Sequence, residues 1–110
     1  MIKSISLLSR RPGMSHDEFI TRWRDEHAPL ALQVAGLRRY VLSPVLRQAQ
    51  RPDIIAHGIE IDGVAELWYD DQASMQAALA SAEMKALRDH GADIIGSITT
   101  LLTEEITVIG

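Results

Sequence analysis

Ser15-His16-Asp17-Glu18-Phe19, continued by Trp23-Arg24-Asp25-Glu26-His27-Ala28-Pro29-Leu30, is the stretch on which the fold turns. Ser15 and Glu18 have the S-x-x-E spacing of a capping box. The Ser15 hydroxyl can accept from the Glu18 amide while the Glu18 carboxylate accepts from the Ser15 amide, so two N–H groups at a helix start find partners. Met14 and Phe19 stand where a hydrophobic staple would close. Within the helix so begun, Phe19, Trp23, His27, Leu30 and Val34 recur at steps of three and four and share one face, while Arg22, Arg24, Asp25 and Glu26 point mostly elsewhere. Pro29 has no amide hydrogen and disfavours helical geometry at Ala28. The helix is therefore expected to end or kink around His27 and to restart with Pro29 in its first turn.

Working outward, Ile2 to Ser9 is rich in Ile and Leu and reads as a strand closed by the turn Arg10-Arg11-Pro12-Gly13. On the other side Gly36 terminates the helix, and Leu37 to Leu46 reads as a second strand whose Pro44 suits an edge or a bulge. Gln48 to Asp62 reads as a long loop. Val64 to Tyr69 is a third strand with both faces apolar. Asp70 or Asp71 can cap a second helix carrying Met75, Ala78 and Leu79. Ser81 can cap a further helical segment with Met84 and Leu87 that stops near His90-Gly91. Ile98 to Ile109 completes the pattern as a last strand. Strand, helix, strand, strand, helix, strand is the order of an α+β, ferredoxin-like βαββαβ sandwich, expected as one domain over residues 1–110.

Two helices cover one face of such a sheet, and the other face is not built for water. Tyr40 with Leu42, then Val41, and Leu101 with Leu102 place bulky apolar groups in both parities, so a homodimer with stacked sheets is expected. An uneven sheet with scattered surface hydrophobics is the competing reading.

Composition narrows the function. Hydrophobic residues make up 46% and charged residues 24%, ordinary for a globular chain, and the formal charge of -4 argues against a nucleic-acid partner. The absence of cysteine excludes disulfides, thiolate catalysis, iron–sulfur clusters and thiolate zinc sites, and fits a cytoplasmic protein. Met1 to Leu8 is too short and polar for a secretory leader, and no apolar run approaches the roughly 18 residues of a membrane span, so no membrane partner is expected. Without a P-loop, a dinucleotide-binding glycine turn or a G-x-S-x-G elbow, no cofactor is expected. The histidines lack H-x-x-x-H spacing, so no metal is expected.

His27 is the leading catalytic candidate, because an imidazole within an apolar stripe is held neutral by desolvation and can act as a base near neutral pH. It could instead donate to a backbone carbonyl released by Pro29. His57, in the long loop, and His90, at a helix end, are candidates to assist it. Trp23, Tyr40 and Trp68 could line a pocket for a flat organic molecule or be plain core. His16, in a first helical turn, needs no functional explanation.

Taken together, Pro12-Gly13-Met14-Ser15 with Glu18-Phe19, Trp23 to Leu30, Gly36-Leu37-Arg38-Arg39-Tyr40-Val41, Asp62 to Asp70 and Thr103-Glu104-Glu105 resemble the EthD family over nearly the whole chain. That resemblance implies the dimeric α+β barrel superfamily, with a pocket between each sheet and its helices. Its members include cofactor-independent monooxygenases, muconolactone isomerases, polyketide cyclases and dehydratases. It implies that His27 projects into the pocket and that Tyr40 and Trp68 match recurrent aromatics. Asp89 to Gly96 is closer to methylmuconolactone methylisomerases, which raises His90 as a second pocket histidine. The resulting expectation is a cofactor-independent isomerase, dehydratase or monooxygenase acting on an aromatic, polyketide-like or lactone intermediate, with a pocket histidine as general acid and base. The alternative is a non-catalytic module that holds a small apolar metabolite.

Overall fold

A computed structural model describes all 110 residues, Met1–Gly110. In chain order the elements are β1 (Ile2–Arg10), α1 (His16–Arg22), a π-helical turn (Trp23–His27), a 3-10 segment (Ala28–Gln33), β2 (Arg39–Pro44), β3 (Gly63–Tyr69), α2 (Gln72–Leu79), α3 (Ala82–Ile94) and β4 (Ile95–Glu104). The strands form one antiparallel sheet in the order β2-β3-β1-β4, the ferredoxin-like topology expected from the element order. Ser4 pairs with Leu67 on one side and Leu102 on the other, and Tyr40 pairs with Leu67. Strand alternation then puts Ser4, Ser6, Leu8, Tyr40, Ala65 and Leu67 on the helix side of the sheet, and Lys3, Ile5, Leu7, Glu66 and Trp68 on the outer side.

α1 starts where the capping signal put it. Ser15 Oγ accepts from the Glu18 amide at 3.0 Å, but the return bond from the Glu18 carboxylate is not made and Glu18 stays exposed. The expected break is also present, and it takes a specific form. Pro29 has no N–H to offer the Asp25 carbonyl, so the ladder widens into a π turn in which the Ala28 amide donates to the Trp23 carbonyl. The chain then tightens into the 3-10 segment. Gly36, at φ +85°, makes the left-handed turn that closes it.

α2 and α3 take the caps read from the sequence: Asp71 accepts from the Ser74 amide at 2.7 Å and Ser81 from the Met84 amide at 3.1 Å. Three elements differ from expectation at their ends. β2 is shorter, Arg39–Pro44. α3 runs through Gly91 to Ile94, and β4 follows without a loop at Ile95 and ends at Glu104 rather than Ile109. Gly91 does not end α3 because α3 packs on His27 there; a Cβ on Gly91 would lie 3.3 Å from His27 Cε1. Tertiary packing thus overrides the weak helix preference of glycine.

The long loop between β2 and β3 returns to the sheet through Asp62, whose side chain is 3% exposed. Its carboxylate accepts from the Arg10 amide at 2.8 Å and from Arg10 Nη1 at 2.7 Å, and meets His16 Nδ1 at 2.7 Å. His16 therefore ties the start of α1 to this loop, a role its sequence position did not announce. Burial on its own would raise the Asp62 pKa, but the bonds from Arg10 and His16 outweigh it and hold the carboxyl below its usual range. No helix is long and apolar enough to cross a membrane.

Candidate active site

Between the helices and the sheet lies a cavity of about 490 Å³. Its floor is Ser4, Ser6, Tyr40, Ala65 and Leu67 of the sheet, and its helical wall includes Met84, Leu87, Arg88 and Gly91 of α3. His27 and Trp23 enter from the π turn. Two core clusters flank it, one containing Tyr69, Met84 and Leu87 and the other Leu8, Phe19, Trp23 and Ala65.

His27 is 7% exposed, and its Nδ1 lies 3.0 Å from Nδ1 of His90. The ring thus does not cap a carbonyl freed by Pro29; it pairs with a second histidine on α3. At that separation one nitrogen donates and the other accepts, so the two Nδ1 atoms share one hydrogen. Burial first, and the neighbouring His90 second, pull the His27 pKa down to about 4, so the ring is neutral at pH 7 with Nε2 left free of any protein partner. His90 Nε2 in turn lies 3.6 Å from Glu26 Oε1.

Tyr40 stands on the helix side of β2. Burial pushes its hydroxyl up to about 12, an effect tempered by the adjacent Trp23 indole, so the phenol stays protonated and able to donate. Trp23 is 1% exposed and its Nε1 has no hydrogen-bond partner. Its six-membered ring presses on Gly63, where a Cβ would come within 2.5 Å of Cζ3. Glycine at the start of β3 is thus required to seat this indole.

Of the residues singled out in the sequence, His27, Trp23 and Tyr40 line the cavity, and His90 packs behind His27. Trp68 does not join them. It lies on the outer side of the sheet, where its Nε1 donates to Glu105 Oε1 at 2.6 Å and Arg39 stacks over its ring at 4.7 Å. The period-two alternation of β3 puts Trp68 and Leu67 on opposite faces, and a strand apolar on both faces left the choice open. His57 sits in the exposed β2–β3 loop, away from the cavity lining. Arg88 was not singled out, yet it is the one formally charged residue of the lining. Its helical spacing from Met84, Leu87 and Gly91 was the available signal. No three His, Asp or Glu side chains converge where a metal ion would sit.

Residues 11–96 match the family model of the EthD domain. The chain belongs to the EthD family. This EthD chain is 27% identical to a 4-carboxymethyl-4-methylbutenolide mutase from Pseudomonas reinekei, with 96% of this chain and 99% of the relative covered. Among solved structures it is similar to an EthD family protein from Bacillus halodurans, at 26% identity and a TM-score of 0.76 over 96% of this chain and 99% of the other. A dimeric protein of ferredoxin-like fold from Bacteroides fragilis superposes with a TM-score of 0.66 at 12% identity, covering 94% of this EthD chain and 95% of that one.

Proposed function

We propose that this EthD protein is a cofactor-independent isomerase that moves a proton within a small lactone bearing a carboxylate, with His27 as the base that removes the proton and the acid that returns it. The observation that carries this reading is a neutral, buried imidazole with a free Nε2 in a cavity that also holds a protonated phenol. His27 Nε2 takes a proton from a carbon whose charge is delocalised into a carbonyl. The Tyr40 hydroxyl donates to the oxygen that gathers that charge, and the proton is returned at another carbon, so no atom is gained or lost.

Arg88 is the cation, and no carboxylate faces it in the lining. A substrate carboxylate is therefore its natural partner. The cavity volume suits a ligand of this size. The butenolide named for the mutase relative has both groups, a lactone carbonyl and a carboxymethyl arm, and it is the first substrate to assay. We also infer a homodimer in which a second copy covers the outer sheet face, in line with the dimeric state of the Bacteroides fragilis protein that shares this fold.

The test is turnover of that butenolide followed by proton NMR. His27→Gln should lower kcat by about 10²- to 10⁴-fold, the range for loss of a positioned acid–base group, while binding persists. Arg88→Ala should raise KM with little change in kcat. Binding without turnover in the wild type would assign the cavity to ligand storage instead.

A further inference from the structure

We infer that Glu26 and His90 act as positioning residues that hold His27 in the tautomer with hydrogen on Nδ1, leaving Nε2 as the bare nitrogen that meets the substrate. This rests on the reading of His27 as the base, and adds what sets that base.

The two Nδ1 atoms at 3.0 Å allow two arrangements. If His27 donates, its Nε2 is a lone pair and His90 carries its hydrogen on Nε2. If His90 donates, its Nε2 is bare and His27 Nε2 is capped by hydrogen and useless as a base. Glu26 separates these alternatives. Its Oε1 lies 3.6 Å from His90 Nε2, an ion-pair distance rather than a hydrogen bond, and a carboxylate offers only lone pairs. An N–H at His90 Nε2 is attracted to it, whereas a lone pair there is repelled, so the first arrangement wins. Arg22 Nε donates to the same Glu26 oxygen at 3.2 Å and holds the carboxylate in place one turn along the helix.

The π turn is what makes this chain of contacts possible, because it places the neighbours Glu26 and His27 so that both reach the same histidine of α3. When His27 Nε2 takes the substrate proton, its Nδ1–H remains donated to His90 and the new positive charge faces Glu26 through that ring. The logic is that of a nucleophile–base–orienter triad with a second histidine in the orienting position. The other charged or titratable groups lining the same cavity as His27 are Arg88 on α3, Tyr40 on β2 and Tyr69 on β3, while Arg22 on α1 meets Glu26.

Histidine side-chain nitrogen NMR on the ¹⁵N-labelled full chain reads the tautomer without any substrate. At pH 7 the wild type should show His27 with a protonated Nδ1 and a bare Nε2, and Glu26→Gln should shift His27 toward the opposite tautomer. With the butenolide, Glu26→Gln should lower kcat about tenfold and His90→Phe about a hundredfold with KM nearly constant, and His90→Asn, which keeps an acceptor near the Nδ1 position, should recover most of the loss. A wild-type spectrum with hydrogen on His27 Nε2, or an unchanged spectrum and kcat in Glu26→Gln, overturns the inference. The wild-type spectrum and Glu26→Gln, a change at a half-exposed side chain, keep it testable should His90→Phe fail to fold. Loss of turnover in His27→Gln alone, with Glu26→Gln and His90→Phe silent, would leave His27 as base and remove only its positioning pair.

Discussion

His27 stores a measurable free energy because burial keeps its ring neutral where the unfolded chain would protonate it. The folded pKa of about 4 lies below the ordinary value of 6.5, so between those two pH values the unfolded state binds one more proton than the native state. Stability therefore falls as pH drops from about 6.5 to about 4, by an amount on the order of 2 kcal/mol once residual solvent access is allowed for. Urea titrations across this window should show that slope in the wild type and a flatter one in His27→Gln. A second residue separates stability from alignment. Gly91→Ala should gain up to about 1 kcal/mol of helix propensity in α3. The added methyl would come within 3.3 Å of His27 Cε1 and push the ring from its place, so Tm should hold or rise while kcat drops. A parallel fall in both would show that this contact is ordinary packing.

At the scale of elements, the π turn and the β2–β3 loop are fixed by different physics. The π turn follows from one covalent fact, the missing amide hydrogen of Pro29, and could be anticipated as a break. The loop is held by tertiary bonds to one buried carboxylate. Asp62 joins β1, α1 and the loop through Arg10 and His16, and its own amide donates to the Leu8 carbonyl at 2.8 Å. Asp62→Ala should leave the Arg10 charge without its buried partner and cost about 2–3 kcal/mol, read as a lower urea midpoint with an unchanged m-value. Proteolysis should then cut first within residues 45–62, an exposed loop that the Asp62 carboxylate ties to β1 and α1. An unchanged midpoint would mean that the Arg10–Glu60 pair at 2.9 Å suffices to hold it.

At the scale of the whole molecule, the helices cover the sheet unevenly. Ile98 and Leu102 on the inner side of β4 and Leu101 on its outer side are each about half exposed, and Ile106, Val108 and Ile109 beyond it are nearly fully so. The outer face is mixed rather than uniformly apolar, since Lys3 pairs with Glu66 at 3.0 Å between Trp68 and the β1 hydrophobics. A second copy laid on the outer face would bury Leu101, and sedimentation equilibrium should return twice the chain mass, with Leu101→Arg shifting it toward the monomer. A monomeric wild type at millimolar concentration would remove the homodimer from the proposal. The sequence alone determined the order of strands and helices, the caps at Ser15, Asp71 and Ser81, the break beside Pro29 and the inward stripe that carries Trp23 and His27, because each depends on neighbours within a few positions. Only the tertiary structure decided that Trp68 faces outward, that His16 serves Asp62, that Arg88 joins the cavity and that His90 meets His27 across 63 positions of chain. Strand register and helix packing set those contacts, and both arise from surfaces meeting in space, which local spacing along the chain does not encode.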